Sequence, residues 1–319
     1  MPLNIGLQGW SAASAKRANL TIPRQPRDRA SGMAGRNLGE SVATTGERDV
    51  IGIDFSGAAT DKNTWAAKGR LSGDGLMLTE CRPISRSDLA LLLESRDPGT
   101  VAALDFPFSV PEGFAGYWVP RAGSMPSLWA AAAAMDYREF LALRDAFVAT
   151  HGEPKRLCDL EFPECYSCLH KANPNMVPMT FRGMQMLHQL WSAGCEVPPL
   201  APQNRNKPLL LEAMPGAALR AFGLPFKGYK NGIRAYELRR QILDGLAQQA
   251  SLPLPNLKDF DGLCLSSHDC LDAVVAAVVA ALWIRNQDLF WRPSEDERDA
   301  QSSLAKLEGW LYAPVNIKS

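Results

Sequence analysis

Acidic side chains that end apolar runs are the residues of this chain best placed to do chemistry. In Asp49-Val-Ile-Gly-Ile-Asp54-Phe-Ser-Gly-Ala58 a buried-strand pattern delivers Asp54 at its carboxyl end, where open α/β sheets hold their reactive groups. Val101-Ala-Ala-Leu-Asp105-Phe-Pro107 repeats the design, and Ser267-His-Asp269-Cys-Leu-Asp272-Ala-Val-Val275 sets two acids three residues apart where an apolar helix begins. Carboxylates gathered in this way are hard oxygen ligands that suit a divalent cation. Like charges 4 to 5 Å apart at an effective dielectric of 20 repel by roughly 3 to 4 kcal/mol per pair. Such acids therefore need a cation or protonation, or else they lie apart.

The elements that must position them can be read along the chain. A strand from Val50 to Phe55 is followed by strands near Thr64 to Arg70 and Leu76 to Arg82, joined by the hairpin turn Ser72-Gly-Asp-Gly75. A short helix, Arg86 to Glu94, ends at Asp97-Pro-Gly99, and a strand from Val101 to Phe106 returns parallel to the first. Neighbouring strands lie about 4.8 Å apart, so Asp54 and Asp105 would then face one small space. A helical insertion over about residues 120–205 comes next: a helix from Ser127 to His151, restarted by a capping box at Asp136-Tyr-Arg-Glu139 and stopped by Gly152, then an irregular stretch over 153–180 and a helix from Phe181 to Ala193. A strand from Leu209 to Leu211 ends on Glu212. Helices are expected from about Gly232 to Gln248 and from Asp269 onward, and Ser294-Glu-Asp-Glu297 reads as the cap of a last helix running into Glu308-Gly-Trp-Leu311. The fold class is α/β, a mixed sheet of three antiparallel strands plus parallel strands, flanked by helices.

Other residues carry weaker signals. Glu212 reads either as a metal ligand or water-positioning base, or as the partner of a nearby Arg or Lys. Lys227, Tyr229, Lys230 and Arg234 form a local basic group with an aromatic between, which suits a phosphate oxygen or a stacked base, or else a solvated start of a helix. Ser56 offers a hydroxyl, and Gly57 a backbone N–H, to a phosphate, although a glycine here also simply makes the turn. Cys158, Cys165, Cys168 and His170 resemble a zinc set in composition, but one Cys-x2-Cys without a partner pair argues against zinc. His268 either assists proton transfer beside Asp269 or begins the helix.

Composition sets the class. With 319 residues, an apolar fraction of 46%, and 34 Lys plus Arg against 34 Asp plus Glu, the chain is an ordinary globular one whose overall field neither favours nor excludes nucleic acid. Seven scattered cysteines without a secretory leader point to the cytoplasm. The longest apolar run, Ala273 to Ile284, is short of the roughly 18 to 20 residues a membrane span needs. Residues 1–46 hold Lys16, Arg17, Arg24, Arg27, Arg29 and Arg36 against Asp28 and Glu40, with no apolar period; the expectation is a disordered basic tail, with an organelle transit peptide as the alternative, ahead of one domain over 47–319.

The ordered set Ile51-Gly-Ile-Asp-Phe-Ser-Gly57, Leu104-Asp-Phe-Pro107, Leu211-Glu-Ala-Met-Pro-Gly-Ala-Ala218, Gly228-Tyr-Lys230, His268-Asp-Cys-Leu-Asp-Ala273 and Glu308-Gly-Trp310 resembles the DUF429 family, which is assigned to the ribonuclease H-like superfamily and described as predicted nucleases. The resemblance implies a ribonuclease H-like sheet and metal-dependent phosphodiester hydrolysis of a nucleic acid, with two Mg²⁺ or Mn²⁺ ions. It implies that Asp54 bridges both ions, Asp105 holds one, and Asp272 completes the site, with Asp269 and Glu212 as further acids. By their own chemistry Ser56 and Lys230 are candidate substrate contacts, and a looser match to a family motif in Lys155-Arg-Leu-Cys-Asp159 adds Arg156. The competing expectations are an actin-like or sugar-kinase-like phosphotransferase, which would need a second phosphate loop where Pro107 and Pro111 stand, and a catalytically silent binding domain.

Overall fold

The computed structural model describes residues 46–203, 206–315 and 317. The disordered tail expected for the segment before them falls, but for Gly46, outside the described residues. Among the described residues, five strands form one mixed sheet. β1 (Arg48–Asp54), β2 (Trp65–Ser72) and β3 (Gly75–Pro83) run antiparallel, β4 (Val101–Asp105) and β5 (Leu209–Glu212) run parallel to β1, and the order across the sheet is β3-β2-β1-β4-β5.

Ten α-helices accompany the sheet among the described residues. They are α1 (Arg86–Glu94), α2 (Glu112–Trp118), α3 (Met125–Ala133), α4 (Tyr137–His151), α5 (Met176–Ser192), α6 (Pro215–Ala221), α7 (Ala235–Ala247), α8 (Asp261–Ser266), α9 (His268–Arg285) and α10 (Ala300–Glu308).

Strand alternation divides the core in two. Val50, Val101, Ala103 and Leu211 pack on one face with α9, while Ile51, Ile53, Ala102, Leu104 and Leu210 pack on the other with α1, α3 and α5. The helix α9 is buried on every side from Cys270 to Trp283, as its uniformly apolar sequence requires. It lies directly on β1 at Gly52, where a Cβ would come within 2.1 Å of both the Ala273 carbonyl oxygen and the Ala277 amide nitrogen. Only a bare backbone allows that approach.

The mixed sheet and the helices α1, α7 and α9 match the expectations from the sequence. The capping box at Asp136 and Glu139 is present, and Gly152 ends α4 with φ +70°. Two boundaries differ, at α5 and at the last helix. The helix α5 begins five residues before Phe181, because Pro178 stands in the first turn, where its missing N–H costs nothing. Pro215 likewise stands in the first turn of α6, a helix the sequence did not signal. The last helix is capped by Asp299, whose side chain accepts the Gln301 amide; Ser294 instead turns its own loop through the Asp296 amide at 3.3 Å.

Candidate metal centre

At the last paired position of the parallel pair, Asp54 on β1 and Asp105 on β4 are register partners and leave the sheet on the face that α9 covers. The helix brings the third acid. Ser267 caps α9 by accepting the Cys270 amide at 3.2 Å, and the next turn directs the fully buried Asp272 toward the strand ends. One carboxylate oxygen from each of Asp54, Asp105 and Asp272 lies within 4.8 Å of the others, and among the described residues no other group of three His, Cys, Asp or Glu side chains converges in this way.

Two residues that follow a glycine turn complete the centre. Tyr229, itself buried, donates its hydroxyl to Asp272 Oδ1 at 2.7 Å, and Lys230 Nζ lies 2.7 Å from Asp272 Oδ2 while its stem stays half exposed. Gly228, at φ +79°, makes the turn before them.

The electrostatics reflect crowding. Burial, then Asp272 and Asp105, hold the Asp54 carboxyl well above the ordinary range, against the pull of Lys230. Asp105 is pushed up to about 7, first by burial, with Asp272 and Glu212 adding to it and Lys230 opposing. Both acids keep partial contact with solvent, so the centre is open at the surface while flanked by protein. Burial alone would lower the Lys230 amine, but Asp272, Asp105 and Asp54 outweigh it and hold the ammonium form firmly.

The remaining expected residues divide. Asp269 stands one turn before Asp272, partly exposed, 3.3 Å from His268 Nδ1; it adds to the rise at Asp54 yet lies outside the converging group.

Glu212 does not join the group either. Its register partner on β4 is Leu104 and not Asp105, so a single residue of offset turns it to the opposite face of the sheet. There it takes the second role the sequence allowed. Arg156 Nη1 donates to Glu212 Oε2 at 2.8 Å, Nη2 binds Oε1, and the Phe108 amide reaches Oε2 at 2.9 Å.

Arg156 is a buried clamp. Its Nε and Nη2 hold both oxygens of Asp159 at 3.0 and 2.8 Å, and Nη1 also reaches the Glu308 carbonyl at 3.2 Å. Every guanidinium nitrogen is thus engaged within the protein, and the substrate contact expected of Arg156 is replaced by a structural one. Glu308 closes the same knot by accepting the Glu112 and Leu157 amides at 2.7 and 2.6 Å.

Ser56 is similarly occupied: its amide donates to Thr64 Oγ1 at 3.0 Å and its Oγ accepts the Ala58 amide at 3.2 Å, which leaves its hydroxyl proton to offer. The loop after Asp54 is held by Arg86, through the Ser56 and Ala58 carbonyls, and by Arg182, through the Gly57 carbonyl. The basic group around Lys230 is dispersed. Tyr229 is buried and unavailable for base stacking, and Arg234 pairs with Glu237 on the exposed start of α7.

Of the cysteine and histidine group, Cys165 Sγ contacts Met214 Sδ at 3.2 Å and His170 pairs with Glu153. Beside Asp105 a small cleft opens, walled by Phe106, Met176, Met179, Met214 and Tyr166, with Asp159, Glu164 and Glu212 at its polar side.

Lys230 and Tyr229 are the residues whose roles sequence reasoning missed. The Gly-Tyr-Lys signal was visible, but the pairing of Tyr229 and Lys230 with Asp272 was not, because that acid lies more than forty positions away.

Among known proteins, no curated protein and no solved structure matches the chain. The sequence model of one family, described as "Protein of unknown function (DUF429)", matches residues 52–298, a span that contains Asp54, Asp105, Lys230 and Asp272. The chain therefore belongs to the DUF429 family.

Proposed function

We propose that this protein is a divalent-cation-dependent hydrolase of phosphodiesters, acting on a nucleic acid. The observation that carries this reading is the convergence of Asp54, Asp105 and Asp272 from three separate elements onto one solvent-open point. The donor set fits Mg²⁺ or Mn²⁺ and not a soft metal, because every converging atom is a carboxylate oxygen. The raised Asp54 and Asp105 carboxyls support the same fit, since crowded acids are relieved by a cation. When bound, the cation supplies a Lewis acid that activates water and offsets the charge developing on phosphate oxygens.

The chain's own residues do the rest. Asp54, Asp105 and Asp272 would hold the cation, and Tyr229 fixes the Asp272 carboxylate by donating to Oδ1. Lys230 holds a permanent positive charge at the centre, which balances the acids while the protein is empty and can turn to a non-bridging phosphate oxygen through its half-exposed stem. The cleft beside Asp105 offers an apolar wall for the part of the substrate next to the scissile bond.

The test is incubation of the purified protein with single- and double-stranded DNA, RNA and hybrid duplexes, in Mg²⁺, Mn²⁺ or EDTA, beside Asp54→Asn and Asp272→Asn. The reading expects cleavage of at least one substrate that EDTA and both substitutions abolish. Cleavage that persists in both variants contradicts it, and ATP turnover without strand scission would point to the phosphotransferase.

A further inference from the structure

All seven cysteines carry free, buried thiols, and two of them lie face to face at the edge of the α9 layer. Cys81 on β3 and Cys270 in the first turn of α9 are 189 positions apart in sequence, yet their Sγ atoms are 2.8 Å apart. Cys264 on α8 lies next, with its Sγ 3.7 Å from that of Cys270. A disulfide has its sulfurs at about 2.05 Å, so joining Cys81 to Cys270 asks for a closure of roughly 0.8 Å, within the reach of side-chain rotation.

We propose that Cys81 and Cys270 are an oxidisable pair whose disulfide staples the β2–β3 hairpin to the turn that leads into Asp269 and Asp272. The oxidant class is a small neutral peroxide, because Cys270 and Cys264 are fully enclosed and Cys81 keeps only 7% exposure, too little for a bulky disulfide reagent. The Cys81 thiolate attacks one peroxide oxygen and breaks the O–O bond, which gives a sulfenic acid and, after protonation, one water. The Cys270 thiolate then attacks the Cys81 sulfur, the Sγ–Sγ bond forms, and the sulfenic oxygen leaves as a second water. The two thiols lose two protons and two electrons, and the peroxide takes up both. Enclosure limits the peroxide's access to both sulfurs, so the bond forms slowly and the pair is not a nucleophilic catalyst. Its consequence is mechanical. The closed loop spans most of the described domain and fixes the end of α9 that presents the acids.

The full-length protein, fully reduced and then exposed to hydrogen peroxide, should be denatured, alkylated and mapped without reductant. A mass lower by about 2 Da, a peptide linking Cys81 to Cys270, and five cysteines still open to alkylation are expected. The oxidised protein should melt higher by roughly 4 °C or more, returning to its starting value with dithiothreitol. Cys264→Ser should keep both effects and Cys81→Ser should lose them. If Cys81→Ser does not fold, the peptide map of the parent and of Cys264→Ser decides. A link from Cys264 to Cys270, seven alkylated cysteines, unlinked sulfinic or sulfonic products, or a lower melting temperature in the linked form would each overturn the proposal.

Discussion

Asp54 and Asp105 sit opposite one another at the last paired position of two parallel strands, so two acids leave the sheet side by side. The raised Asp105 value of about 7 then has a definite consequence for stability. A carboxyl with a raised folded value keeps its proton in the folded chain at pH values where the unfolded chain has lost it. Between about pH 4 and pH 7 the folded state binds more protons, and stability falls as pH rises through that window, by no more than about 4 kcal/mol from this group. Asp54 acts in the same direction. A cation that binds the ionised acids reverses the loss. Thermal melts with and without Mn²⁺ should therefore show a larger gain at pH 8 than at pH 5, and an equal gain at both would count against the coupling.

Substitutions of two acids should move stability in opposite directions. Asp54→Asn removes a charge repelled by Asp105 and Asp272, so the metal-free protein should melt higher while losing its cation affinity. Asp272→Asn removes the charge from a fully buried group that pairs with Tyr229 and Lys230, and should cost about 1 to 3 kcal/mol in urea unfolding. Two destabilised variants would mean that repulsion among the acids at the strand ends does not govern the stability of the metal-free protein.

Lys230 competes with any incoming cation for Asp272. Replacing it by Gln takes away one positive charge, a change worth more than about 1.4 kcal/mol at 4 to 5 Å and a dielectric of 20. Titration calorimetry should find Mn²⁺ bound about tenfold or more tightly, with slower hydrolysis of any substrate identified. Weaker binding of Mn²⁺ would place Lys230 outside the centre.

Gly52 sets the distance between sheet and helix. A methyl group there meets the α9 backbone at Ala273 and Ala277, so Gly52→Ala should cost about 1 to 3 kcal/mol or more and carry Asp272 away from Asp54. The signature is a stability loss with a loss of cation affinity, even though the substituted residue bears no ligand atom.

Arg156 provides a contrast, being structural where a substrate role was expected. Arg156→Met leaves Glu212 and Asp159 buried without their partner, at a cost of about 3 to 5 kcal/mol in equilibrium unfolding. Unchanged stability with a raised KM would restore the substrate role.

Much of this arrangement was legible from local pattern. Apolar runs that stop on an acid gave Asp54 and Asp105, and the acids spaced three apart on one helix face gave Asp272. The Glu212 signal looked the same, but its face depends on the register of β5 against β4, which no local pattern records. The partners of Arg156 and Lys230 escaped it for a related reason: both are cations paired with acids from remote segments, Glu212 for one and Asp272 for the other, and pairing across such distances is decided by the fold. The helices α2, α6 and α8 were missed because each is only six or seven residues long, too short for an apolar period to stand out.

The most direct test of the central claim is an anomalous difference map from crystals of the protein soaked in Mn²⁺. The account predicts a peak bonded to oxygens of Asp54, Asp105 and Asp272 together, absent from Asp54→Asn crystals. A map with no peak at the strand ends, or with Mn²⁺ bound elsewhere while these three carboxylates keep only Tyr229 and Lys230 as partners, would contradict it.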